Sequence, residues 1–256
     1  MKHLTFICIF IISALLSGCT TSQTSGSPTT VADDPARAAE LNLELGLAYM
    51  ERNDNEKALN KLLKSIKIDP QFADAHNALG ILYSRLGEDG KAGDHFKRAV
   101  NIAPQDPRAL NNYGQYLCRH NQRQEADKMF TRAVENPLYQ TPEFAYLNAG
   151  ICARDNQDLE KAEVHFRAAL QENPYMAAVL IQMAELSHQL GRSLPARGYI
   201  ERYGASTKHN ARSLWLAIKI ENALGDRDAA ASYALQLKNK FPDSEETRLL
   251  LKMEGK

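Results

Sequence analysis

Covalent or metal chemistry in this chain would have to come from its four cysteines, seven histidines and turn carboxylates. Cys8 and Cys19 lie in and just after an apolar amino-terminal run, and Cys118 and Cys152 stand 34 residues apart. No H-E-x-x-H occurs, and the histidines are otherwise scattered. His95 and His165 each precede a phenylalanine, Phe96 and Phe166, which suits packing better than ligation. Gly87, Gly90 and Gly93 have phosphate-loop spacing, but no strand precedes them. Gly87 instead matches Asn53, Asn121 and Gly191 as a turn residue, and Asp54, Glu88, Asp158 and Asp226 read as solvated turn carboxylates. No activated nucleophile or ligand set emerges. The expectation is a protein that is not an enzyme and that uses no metal, cofactor or small-molecule substrate.

The elements that position these residues follow from composition and period. Lys and Arg number 31 and Asp and Glu 31, a formal charge of zero that argues against nucleic acid as a partner. With 44% hydrophobic and 24% charged residues, Gly 14 and Pro 10, the chain is neither collagenous, disordered nor a polytopic membrane protein. Aromatics are 7% and Trp215 is the one tryptophan, a composition suited to helices built on Ala, Leu and Tyr. Gly46, Tyr49, Ala58 and Pro70 recur 34 positions later as Gly80, Tyr83, Ala92 and Pro104, and Ala126, Phe130 and Ala133 continue the series. A two-residue insertion at Pro137–Pro142 shifts the frame; Gly150, Ala162, Phe166, Ala169 and Pro174 follow, then Ala196, and finally Gly225, Ala230 and Pro242.

This pattern resembles the tetratricopeptide repeat over about residues 39–244. The resemblance implies an all-α, right-handed solenoid of six helix pairs, at 39–72, 73–106, 107–142, 143–176, 177–210 and 211–244, with a capping helix at 245–256. Small residues such as Gly80 and Ala92 would sit where paired helices approach, and Pro104 would end a second helix because its ring has no N–H. In units five and six Ala184 and Ile218 replace the first-helix glycine and Lys208 replaces the proline, so helix spacing there is open to change.

Ahead of the repeats, Lys2 precedes an apolar run, Leu4–Leu16, too short to span a bilayer as a helix. It reads as a signal peptide over 1–18. Leu16-Ser17-Gly18-Cys19 resembles the bacterial lipobox, which implies cleavage before Cys19 and acylation of that residue; the alternative is an ordinary secreted protein in which Cys19 is incidental. Each buried methylene would hold the chain by about 0.8 kcal/mol. Thr20 in place of Asp after the cysteine implies, by the same resemblance, the outer membrane. Residues 19–38 are expected to form an acylated tether, whose polar part, Thr20–Pro35, would reach roughly 20 Å as a coil.

Within the repeat frame Cys118 and Cys152 fall near one another on adjacent first helices. Either they form a disulfide between units three and four, or they remain two buried thiols; a Cα separation above about 7 Å would exclude the bridge. First-helix positions 2, 5, 9, 12 and 13 of such a repeat face the groove. They give Leu43, Leu47 and Met50 in unit one, and Asn77, Ile81 and Arg85 in unit two. Unit three adds Arg108, Asn111, Gln115 and Arg119, and unit four adds Phe144, Leu147 and Ile151. Apolar residues aimed into a groove mark a protein-docking surface, with Asn and Arg available to hold a backbone. The alternative is that they pack on one another. Leu43 and Leu47 stand where a carboxylate-clamp repeat needs Lys and Asn.

Three further stretches carry a narrower resemblance: Leu110–Gly114 leading to Leu117-Cys118, Asn136–Pro142 followed by Asn148–Cys152, and Leu214–Leu216 leading to Gly225-Asp226. Together with the lipobox they resemble the type IV pilus biogenesis lipoproteins, pilotins of the pilus secretin. That resemblance implies a periplasm-facing, outer-membrane lipoprotein that binds secretin subunits and promotes their localisation and multimerisation. A general scaffold lipoprotein for envelope or cell-wall assembly is the alternative.

Overall fold

The computed structural model describes residues 34–255. The expected signal peptide, Cys19 and most of the expected tether lie outside these residues. Among the described residues there are thirteen α-helices and no strand. They run as α1 (Pro35–Glu51) and α2 (Asn55–Ile68), α3 (Ala73–Arg85) and α4 (Asp89–Ile102), α5 (Pro107–Arg119) and α6 (Arg123–Val134). Then come α7 (Pro142–Asp155) and α8 (Leu159–Glu172), α9 (Ala177–Gln189) and α10 (Ser193–Ser206), α11 (Ala211–Leu224) and α12 (Arg227–Lys240), and last α13 (Glu245–Met253). None is long and apolar enough to cross a membrane. Each odd helix packs on the even helix after it, giving six pairs with α13 against α11 and α12. First helices of neighbouring pairs also touch, α1 on α3, α3 on α5, α5 on α7 and α9 on α11. The array therefore curves with its first helices on the inner face.

Local chemistry sets the helix ends. Asn53, Gly87, Asn121, Gln157, Gly191 and Gly225, one per pair, are left-handed at the turn between first and second helices. Gly and Asn tolerate that region best, so Gln157 is the exception. The carboxylates that follow are caps: Asp54, Asp158 and Asp226 accept from the backbone N–H groups of Lys57, Lys161 and Ala229. Asp34 caps α1 ahead of Pro35. Residues 35–38, expected in the tether, are thus the first turn of α1, because a capping Asp before a proline whose fixed φ is already helical starts the helix four residues before 39.

The core repeats with the chain. Ala58, Ala92, Ala126, Ala162 and Ala196 are fully buried where each second helix meets its first. A Cβ on Gly80 would fall 2.6 Å from Cδ1 of Phe96, and one on Gly150 2.5 Å from the Phe166 ring. Units five and six keep this contact by trading volume. Ala184 is buried in one cluster with Ile200, and Ile218 in another with Ala234. The larger first-helix residue is matched by a smaller partner. Between those units Glu221, 2% exposed, is held by Arg197, which also reaches Asp226 at 3.0 Å.

In unit two, His76 Nδ1 lies 2.9 Å from His95 Nδ1, and its Nε2 faces the Pro70 carbonyl at 3.3 Å. With a neutral His76 that donates Nε2–H to Pro70, Nδ1 accepts from His95 Nδ1–H. Burial pushes both imidazoles below the usual range, and His76 adds repulsion on His95. Burial likewise lowers His165, His188 and His209.

Two outcomes follow. Gly80→Ala should lower unfolding free energy by about 1 to 3 kcal/mol through overpacking. Gly198→Ala, where a Cβ meets nothing within 4 Å, should raise it by about 1 kcal/mol; denaturant titration reads both. For pH, the folded histidines take up protons less readily than an unfolded histidine of pKa about 6.5. Stability is thus fully present above that value and falls as pH drops through it, until the folded rings also charge. The melting temperature should decline between pH ~7.5 and ~5.5, and less so in His95→Gln.

Candidate functional site

The inner face is built from side chains that α1, α3, α5 and α7 present side by side. Leu47 is 41% exposed, whereas Leu43 and Met50 are 8% and 6% exposed and belong to the core shared with Leu62, Leu79 and Leu82. The expected docking trio is therefore corrected to Leu47: Leu43 and Met50 lie on the stripe of α1 that packs on α2 and α3. Phe144 is exposed, while Ile81, Leu147 and Ile151 are half-buried and pack against the core.

Between these apolar points runs a ladder of amides. Asn112 Nδ2 donates to Asn77 at 3.1 Å, Asn148 Nδ2 to buried Asn111 at 3.0 Å, and Gln115 Nε2 to Asn148 at 3.2 Å. Arg154 continues it by donating to Gln182. Asn112, Asn148 and Gln182 were not among the expected site residues, although they share one repeat position. Charges bracket the ladder: Arg108 pairs with Asp74 at 3.1 Å, and Arg212 with Glu185 at 2.7 Å. Arg85 donates to the Met50 carbonyl at 2.7 Å and so ties α3 to α1.

Cys118 and Cys152 are joined, with Cα atoms 5.9 Å apart, within the usual range for a disulfide. The bridge links α5 to α7 and lines the cleft between them with Gln115, Arg119, Ile151 and Asp155, about 520 Å³ in volume. A further cleft of about 410 Å³ lies between α9, α11 and α13 around His188, Trp215 and Leu249. Among the described residues no group of three or more His, Cys, Asp or Glu is placed to hold a metal ion. The face offers hydrogen bonds, apolar contacts and charge, the means of recognising another chain.

Stacked helix pairs with such a face define a tetratricopeptide-repeat protein, and models of that repeat match residues 46–87, 73–106, 113–177 and 212–244. Type IV pilus assembly protein PilF of Pseudomonas aeruginosa is 32% identical over 238 residues, covering 92% of this chain and 93% of that protein. The chain belongs to the PilF family. A solved structure of Pseudomonas aeruginosa PilF superposes with TM-score 0.77 at 32% identity, covering 86% of this chain and 99% of that one. PilW, described as a widely conserved type IV pilus biogenesis factor, superposes with TM-score 0.77 at 30% identity over 83% of this chain and 98% of its own.

The disulfide closes a long loop, so reducing it, or replacing both cysteines by serine, should cost about 3 to 4 kcal/mol in the loop-closure account. Chemical denaturation with and without dithiothreitol reads that loss, and the double variant should be insensitive to the reductant.

Proposed function

We propose that this protein works in type IV pilus biogenesis by binding secretin subunits on its inner face, while acyl chains on Cys19 hold it at the periplasmic side of the outer membrane. The observation that supports this reading is 32% identity to PilF over 92% of the chain. The exposed Leu47 and Phe144, with Ile81, Leu147 and Ile151 partly open beside them, supply apolar contacts. Asn77 and Gln115 supply hydrogen bonds to a bound backbone, whereas Asn111, expected to do so, is buried under Asn148, and Arg85 is taken up by the Met50 carbonyl. Leu43 and Met50 act from the core, holding Leu47 in place.

Physically, a membrane-held binder confines its client to a surface. The local concentration of subunits rises, and multimerisation is favoured by mass action without any new subunit contact. The anchor and the inner face are both needed.

Leu47→Asp puts a charge on the open apolar surface and should weaken capture of purified secretin periplasmic fragments by about tenfold or more at an unchanged melting temperature. Undiminished capture would move the site elsewhere. Cys19→Ala should leave capture intact yet keep secretin rings out of the outer membrane fraction; normal rings in that strain would remove the carrier role. A mature domain that captures no secretin fragment would leave the general envelope scaffold standing instead.

A further inference from the structure

We propose that the middle of the inner face, from α3 to α7, binds an extended acidic peptide segment whose carboxylate pairs with Arg119. This rests on the reading that the inner face binds a polypeptide and names the chemistry of what is bound.

The 520 Å³ cleft between α5 and α7 meets a second cleft of about 220 Å³ between α3 and α5, and both are lined by Gln115 and Arg119. Cations outnumber available anions here. Arg85, Arg119 and Arg123 line the two clefts against the single carboxylate of Asp155, which Arg154 already holds at 2.8 Å. Arg85 and Arg123 donate to neutral oxygens, those of Met50 and Asn121. Arg119 is exposed and has no ion-pair or hydrogen-bond partner among the described residues. Elsewhere on the face Arg108 and Arg212, at the starts of α5 and α11, each have an acid. An unpaired guanidinium shared by two clefts attracts a carboxylate, and its planar fork suits one well.

The remaining groups select a peptide. The ladder uses neither the N–H groups of the Asn77 amide nor the Gln115 amide oxygen, and an extended backbone presents the complements of such donors and acceptors. Ile81 lies in the smaller cleft and Ile151 in the larger, on either side of Arg119. The bound segment accordingly reads apolar, acidic, apolar, and charge complementarity fixes its register.

The test uses short fluorescein-labelled peptides tiling the periplasmic part of the pilus secretin, each acidic one paired with its Glu→Gln or Asp→Asn twin. Binding to the mature domain is followed by anisotropy for wild type, Arg119→Gln, Arg119→Glu and Leu47→Asp. An acidic peptide should bind wild type and lose about fivefold to tenfold on Arg119→Gln, with a similar loss on neutralising the peptide. Combining both changes should cost little more than either. Equal binding of acidic and neutral twins, or of wild type and Arg119→Gln, overturns the proposal while leaving the secretin reading intact. If no secretin peptide binds, that reading fails separately, and selection from a random peptide display library on wild type and Arg119→Glu then decides. Enrichment of acidic sequences on wild type alone supports the acidic segment. No enrichment overturns it.

Discussion

The array depends on one steric constraint, the close approach of the first and second helix in each pair. In units two to four a glycine faces a phenylalanine ring, and in unit one Gly46 faces Leu62. In unit five the order is kept with less contrast, Ala184 against Ile200, and in unit six the small and large partners change places, Ile218 against Ala234. What is kept is summed volume across the contact, as close packing requires. The inner face inherits its geometry from this, since each first helix is set by its own second helix before it meets its neighbours.

Most of this was legible because packing repeats every 34 residues, and a periodic constraint leaves a periodic trace. The buried alanines, the small residue of the first helix and the left-handed turn position all recur in step. Gln157 hid its turn because its type does not announce a left-handed residue. The exchange between Ile218 and Ala234 looked like a departure for a related reason: a volume trade shows only when both partners are read together.

The inner face was less legible because a generic list of groove positions mixes two environments. The fifth position lies in the seam between neighbouring first helices, where Leu43 and Asn111 are buried and Asn77 is half-covered; the ninth lies open at Leu47 and Gln115. Polar residues survive in the seam because neighbouring amides satisfy them, as Asn148 does for Asn111. That pairing needs the two helices in contact, which no single repeat reveals. The charge surplus at Arg119 is likewise an outcome of which acids are already taken.

The bond between Cys118 and Cys152 joins two neighbouring units across the frame shift at Pro137–Pro142, where the 34-residue period is broken. A chain of units held mainly by nearest neighbours comes apart between units, and this break in the period lies between units three and four. Placed there, the covalent link acts as a rivet at mid-span. While the bond is intact, units three and four cannot part from one another.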